Sequence, residues 1–284
     1  MIAEAVSPAH PDKIADRIAG ALVDYCYKTE TNTNGVRCAF EVLIGHGKAF
    51  IIGETNINVP YWTVCEIVQG IDPDSDEVRY IEVKQDRHLA KAQEGGVKCG
   101  DNGIFYGDVS GSAHSIAKSL CQGLYELWPY DGKLVLDFDK KQATVNWSNV
   151  TTEEIIRIVK EHLPQYNIRA NTVGDWTGGT RVDTGLTGRK LACDFYGVGA
   201  PLGGGNMHGK DLSKADVTLN ICSHLAALDA GKPVQAVCSI GDDFVEYIID
   251  GEPQGQIPYQ DAVDRAWEYI QERGGFEKFA EWGF

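Results

Sequence analysis

Residues 36–57 read VRCAFEVLIGHGKAFIIGETNI. Two runs rich in β-branched and aromatic residues, Val36 to Ile44 and Ala49 to Ile57, flank Gly45-His46-Gly47, a pattern that predicts a β-hairpin. Upstream, Pro11 fits the first turn of a helix whose apolar residues Ile14, Ile18, Leu22 and Tyr25 recur on one face. Downstream, a helical stretch falls near Tyr61 to Gly70, and the polar segment from Ile71 to Gly103 reads as a loop. Ser112 to Leu127 predicts a helix, and Leu134 to Phe138 with Ala143 to Trp147 a second hairpin. Thr152 to Leu163 reads as a helix with a Thr-x-x-Glu cap that stops before Pro164. Leu191 to Tyr196 then reads as a strand entering Gly203-Gly204-Gly205, Leu212 to Leu228 as a helix, Val234 to Ile240 with Phe244 to Ile249 as a third hairpin, and Tyr259 to about Glu272 as a final helix. Hairpins alternate with helices three times without a strict βαβαβ rhythm. The expected class is therefore α+β, with three similar sheet-plus-helix units near 1–110, 111–190 and 191–284 whose chain segments interleave.

The formal charge of -15 argues against a nucleic-acid or membrane-surface partner, because phosphate would be repelled over most of the surface. Any phosphate site must be a local concentration of Lys, Arg and backbone N–H groups. No apolar run approaches the roughly 18 residues needed to cross a bilayer. Met1-Ile2-Ala3-Glu4 lacks the basic and apolar regions of a signal peptide, so the expected location is the cytoplasm. The 8 cysteines are scattered without a C-x-x-C pair and read as reduced, mostly buried thiols.

Three clusters concentrate charge and glycine. In Ser7-Pro8-Ala9-His10-Pro11-Asp12-Lys13, a helix N-terminus, His10 and Lys13 would attract anionic oxygen, while Asp12 could hold a hard cation. An ordinary helix start with Pro at its first position accounts for the same residues. Asp183-Thr184-Gly185-Leu186-Thr187-Gly188-Arg189-Lys190 suits a phosphate chain, since glycine admits close N–H groups, Arg grips two oxygens and Lys adds a point charge. A polar turn with a solvated basic pair fits it too. Gly203-Gly204-Gly205-Asn206-Met207-His208-Gly209-Lys210-Asp211 nearly spells a P-loop, but Asp211 stands where the magnesium-binding Ser or Thr belongs; a glycine linker is the plainer reading. Lys214 and Asp216 follow one turn on.

Together the clusters resemble the methionine adenosyltransferase (S-adenosylmethionine synthetase) family, whose motifs they follow in order. Phe40-Glu41 and Ile52-Gly53-Glu54 resemble the family's potassium-site and methionine-facing strands. Gly100-Asp101-Asn102-Gly103 resembles its G-D-Q-G segment, Asp131-Gly132-Lys133 its D-x-K contact to nucleotide and phosphate, and Trp176 falls at its adenine-stacking aromatic. Ala9, Lys98-Cys99, Leu202 and Val217 depart from the pattern, and the chain is shorter than typical members before Asp101 and at its C-terminal end.

The resemblance implies attack of methionine sulfur on C5′ of ATP, followed by hydrolysis of the tripolyphosphate to pyrophosphate and phosphate. It implies that Lys13, Lys133, Arg189, Lys190, Lys210 and Lys214 meet phosphate, with Asp131, Trp176 and Asp183 on the nucleotide and His10 at the departing oxygen. Asp12 and Asp216 would hold Mg2+ and Glu41 K+. Glu54, Asp101 and a loop glutamine, Gln93 in preference to Gln85, would fix L-methionine. It also implies a homodimer or higher oligomer, with sheets packed at the interface and active sites between subunits. Two rivals remain open at this point, a P-loop-like NTPase and a nucleotide-binding paralogue without turnover.

Overall fold

The computed structural model describes residues 1–93, 96–108, 111–195 and 205–284. The hairpin expected at 36–57 forms from β2 (Cys38–Gly45) and β3 (Lys48–Thr55), turning through Gly47 in the left-handed region at φ +75°. Before it come β1 (Ile2–Val6) and α1 (Pro11–Thr29), with Pro11 at the helix start as its fixed φ predicts. After it come α2 (Tyr61–Ile71), β4 (Glu77–Val83), α3 (Arg87–Ala92), β5 (Gly103–Gly107) and α4 (Ser112–Leu127). The second hairpin is β6 (Gly132–Asp137) and β7 (Gln142–Trp147), followed by α5 (Thr152–His162), β8 (Asn167–Ala170), β9 (Thr184–Leu186) and α6 (Leu191–Asp194). The chain ends through α7 (Ala215–Ala230), β10 (Val234–Cys238), β11 (Phe244–Ile249), β12 (Glu252–Pro258), α8 (Tyr259–Glu272) and α9 (Phe276–Trp282).

These strands make three four-stranded sheets, β1-β6-β7-β8, β12-β11-β10-β5 and β4-β3-β2-β9, each backed by helices, so the architecture is α+β. Each sheet recruits one strand from far along the chain: β1, β5 and β9 pair with hairpins more than 100 residues away. The first sheet and α4 and α5 enclose one apolar core, around Leu134, Leu136, Val145 and Trp147. The other two sheets share a larger one with α1, α2, α7, α8 and α9.

Several expectations need correction. The segment 71–103 is not a loop, since β4 lies parallel to β3 and α3 follows. A parallel neighbour leaves no local hairpin signal, and Glu77–Val83 is half polar because only one face is covered. Leu191–Asp194 is a helical turn, not a strand; three apolar residues fit either period, and tertiary contacts of Asp194 decide. Tyr196, Gly203 and Gly204 lie outside the described residues. Helix α7 starts only at Ala215, because Asp211 ties the preceding loop to β2 by accepting from Cys38 N–H at 2.7 Å and Ser213 N–H at 2.8 Å. Cys99 and Cys238, 139 residues apart, are joined as a disulfide rather than reduced, a pairing that sequence spacing could not suggest.

Candidate active site

Antiparallel pairing of β1 with β6 sets Val6 opposite Lys133, and this register brings the first cluster to the Asp131-Gly132-Lys133 turn. Ser7 fastens the join: its hydroxyl donates to Tyr130 C=O at 2.9 Å and accepts from Gly132 N–H at 3.0 Å. His10 caps α1, its Nδ1 accepting from Asp12 N–H at 3.2 Å, so the ring proton resides on Nε2 as a donor. Burial, and next to it the charge of Lys190, push His10 down to about 4, which keeps the ring neutral at pH 7.

The second cluster packs directly on this helix start. A Cβ at Gly185 would lie 2.0 Å from Pro11 O, so only glycine permits the approach. Asp12 accepts from Leu186 N–H at 2.9 Å and from the Lys190 ammonium, with Arg189 Nε 3.5 Å away. Burial alone would raise Asp12; the bonds from Lys190 and Leu186 outweigh it and hold the carboxyl below its ordinary value. Beside these groups opens a cavity of about 370 Å³ lined by His10, Asp131, Lys133, Asn146, Asn171, Thr172, Val173, Trp176 and Asp183. Asp131 accepts from Gly179 N–H at 2.8 Å, and burial raises it to about 6. Trp176 is oriented by donation from its indole to Asn171 Oδ1 at 3.2 Å, and Lys133 pairs with Glu4 at 2.9 Å.

A second group of side chains gathers around Lys210. Asp216 bonds the Lys210 ammonium and accepts from Gly205 N–H at 2.6 Å. Ala39 bridges to Lys210 and pairs across the hairpin with Glu54. A Cβ at Gly100 would lie 2.7 Å from Ser213 O and 3.6 Å from Lys214 Cα, so Asp101 stands beside the Lys214 segment. Glu41, exposed on β2, accepts from the Thr187 hydroxyl. This geometry is not a P-loop, because α7 begins five residues after Lys210 instead of at it. Gln85 and Gln93 both line a separate cavity of about 510 Å³, where Gln93 closes its amide on the Lys98 backbone with two 2.9 Å bonds.

Lys13 joins neither group. Its ammonium is buried, 2.5 Å from Asp194 and 3.3 Å from Asp16, so the reading of Lys13 as a phosphate contact gives way to an internal ion pair. Burial would lower Lys13, but Asp194 and Asp16 more than offset it and raise it.

Comparison with known proteins decides what this arrangement belongs to. Residues 1–91 match the family model described as S-adenosylmethionine synthetase, N-terminal domain, and residues 177–229 match the C-terminal domain of the same synthetase. The chain belongs to the S-adenosylmethionine synthetase family. An S-adenosylmethionine synthase of Petrotoga mobilis is 28% identical over 282 residues, covering 75% of this chain and 70% of that one. One from Syntrophobacter fumaroxidans is 27% identical over 343 residues, covering 96% and 85%. The solved structure of an unusual S-adenosylmethionine synthetase from Campylobacter jejuni shares the fold at a TM-score of 0.75 and 20% identity, covering 100% of this chain and 93% of that one.

For this synthetase-family chain, sequence reasoning missed Asn146 and Asn171. Asn146 pairs with Lys133 in the β6–β7 register, so placing the hairpin turn to the residue would have found it. Asn171, left-handed at φ +37°, gives Trp147 N–H and the Trp176 indole a shared acceptor; an Asn closing a β segment is the one local signal.

Proposed function

We propose that this chain is a methionine adenosyltransferase that converts ATP, L-methionine and water to S-adenosyl-L-methionine, phosphate and pyrophosphate. The observation that carries the reading is the meeting of Asp12, Arg189 and Lys190 beside His10, which itself lines a cavity with Asp131, Lys133 and Trp176. A thioether sulfur needs no general base, so the barrier lies in orientation and in charge gathering on the leaving triphosphate. Trp176, Asp131 and Asp183 hold the nucleoside. His10, neutral with Nε2–H free of Asp12, donates to the oxygen that departs from C5′, and Lys133, Arg189, Lys190, Lys210 and Lys214 meet the phosphates. Glu54, Asp101 and a glutamine of the 85–93 segment fix methionine; if that glutamine is Gln93, its bonds to Lys98 must open.

The donors suit Mg2+. Asp12 and Asp216 each present carboxylate oxygens already matched by a lysine ammonium, the position a hard cation takes. Bound there, Mg2+ would supply charge neutralisation of the phosphate chain. Glu41 beside Thr187 would hold K+.

The exposed face of β4-β3-β2-β9 supports a homodimer. Leu43, Phe50, Ile52, Ile81, Val83 and Leu186 cover it, in register across the strands, and Glu41 and Glu54 stand among them. A second copy laid on this face would bring its own charged groups to the first.

One assay with ATP and methionine, resolving S-adenosylmethionine, ADP, pyrophosphate and phosphate, tests the reading. Expected is methionine-dependent S-adenosylmethionine with one pyrophosphate and one phosphate, abolished by excess chelator. ADP release without methionine, or no product at all, overturns it.

A further inference from the structure

Lys13, Asp16, Asp194 and His208 meet in the interior, all at most 2% exposed. Lys13 Nζ lies 2.5 Å from Asp194 Oδ1 and 3.3 Å from Asp16 Oδ2; His208 Nε2 lies 2.9 Å from Asp194 Oδ2. The other oxygen of Asp16 accepts from Gly188 N–H at 2.8 Å. Asp16, Asp194 and His208 have the makings of a metal-ligand set, but Lys13, fully buried among them where Lys190 and Lys210 are partly exposed, stands as their internal cation. The Phe279 ring lies 5.6 Å from His208 and all four side chains are shut off from solvent, so their polar groups bond to one another and to Gly188 N–H.

The four residues come from three separate segments, and each segment also carries a residue of the proposed phosphate site within a few positions of the network. Lys13 follows Asp12, Gly188 precedes Arg189 and Lys190, Asp194 closes the helical turn after Lys190, and His208 is two residues before Lys210. Gly188 and Asn206 are also in close approach, since a Cβ at Gly188 would lie 2.8 Å from Asn206 Cβ. Buried ion pairs of this kind are costly to desolvate, and apolar packing would hold the segments as firmly; what ionic partners add is a unique register.

We propose that this network is a positioning device that sets the spacing of the phosphate-binding segments, with His208 tying the Lys210 loop to the Asp12 and Arg189 loops. The proposal rests on the adenosyltransferase reading for its biological sense, but its direct consequence is tripolyphosphate binding. Loss of His208 leaves the Asp194 carboxylate bonded by Lys13 alone and removes the side-chain tie between the 205–211 segment and Asp194, while Gly205, Lys210 and Asp211 keep that segment on Asp216 and β2. Positioning partners behind ligating residues typically alter affinity or activity by about 10- to 100-fold.

The test compares wild type, His208→Ala and His208→Gln by calorimetric titration with tripolyphosphate and by steady-state kinetics, with circular dichroism and Tm as controls for folding. His208→Ala should weaken tripolyphosphate binding and raise the ATP KM by roughly tenfold or more while leaving the methionine KM within about twofold; Gln, whose amide can donate to Asp194, should recover most of the loss. Unchanged tripolyphosphate affinity in a folded His208→Ala overturns the network, as does an equal loss in both variants or a methionine KM that rises with that of ATP. A wild type that binds tripolyphosphate but makes no S-adenosylmethionine overturns the activity and leaves the binding arm to decide the network.

Discussion

His10 and Asp131 face the same cavity but carry opposite protonation problems. His10 is kept neutral, with Asp12 N–H on Nδ1, so in the proposed mechanism its single donor serves the oxygen that leaves C5′. Hydrolysis of added tripolyphosphate has no such oxygen to protect. His10→Asn should therefore lower S-adenosylmethionine formation by about two to three orders of magnitude, roughly 3 to 4 kcal/mol, and spare much of the tripolyphosphatase, whereas Arg189→Leu should damage both. An equal large loss of both activities in His10→Asn would remove its leaving-group role. Asp131, raised to about 6, is ionised at pH 7 and protonated below. A protonated Asp131 accepts more weakly from the nucleoside, so the ATP KM should climb as pH falls through about 6 in wild type and stay flat in Asp131→Asn. The stability sign is the reverse. A folded value above the unfolded one means the folded state binds the proton more tightly. Wild type should thus lose stability relative to Asp131→Asn as pH rises from 4 through 6, by up to roughly 3 kcal/mol for a shift of about two units. A difference in Tm that is flat across that range would show that Asp131 titrates normally.

At the scale of elements, the contact between β9 and the start of α1 fixes the site more than either element alone. Gly185 has Pro11 O where a side chain would begin. Gly185→Ala should cost about 3 kcal/mol, the upper end for overpacking, and weaken ATP binding because Leu186 N–H can no longer reach Asp12. Thr151→Ala, which removes the capping box of α5, should cost about 1 kcal/mol with activity unchanged, since α5 backs the first sheet away from Asp12. Equal activity losses in the two variants would mean that stability alone sets the rate. The same contrast explains what the sequence made legible. The capped helix 152–162, the helix at Pro11 and the hairpins at 38–55, 132–147 and 234–249 carry their own periodicity, turns and caps, so they could be read locally. Strands β4 and β8 pair in parallel beyond an intervening helix, and β5 and β9 pair with hairpins far along the chain, which leaves no local period to find; β12 instead pairs with the adjacent β11 around Asp250-Gly251, a turn signal the sequence does carry. The site divides likewise. Asp12, Arg189 and Lys190 stood out as charge beside glycine, while the true place of Lys13 depended on Asp194 and His208, 181 and 195 positions further on.

On the scale of the whole molecule, one chain holds two incomplete sets of groups. His10, Asp131 and Lys133 line the proposed nucleotide cavity, with Asp12, Arg189 and Lys190 packed beside His10. Glu54, Asp101, Lys210, Lys214 and Asp216 lie near the Ala39 end of β2, and Glu54, Gln93 and Asp101 are not among the described residues lining that cavity. The dimer proposed above would join two copies across the apolar face of β4-β3-β2-β9, with sites shared between the chains. Ile52, 53% exposed at the middle of that face, is the natural probe. Ile52→Asp places an unpaired charge in the proposed interface and should give monomers by light scattering that fold but make no S-adenosylmethionine. The arrangement itself is tested by complementation. His10→Asn and Asp101→Asn proteins, each nearly inactive, are unfolded together and refolded at equal amounts. If sites are shared, half of the dimers are mixed, and each mixed dimer contains one site with wild-type His10 from one chain and wild-type Asp101 from the other. Activity should then return to about a quarter of wild type, because half of the dimers have one good site of two. If both residues serve a site within one chain, no pairing restores a complete site, and activity should stay at the level of the separate variants however the chains are mixed.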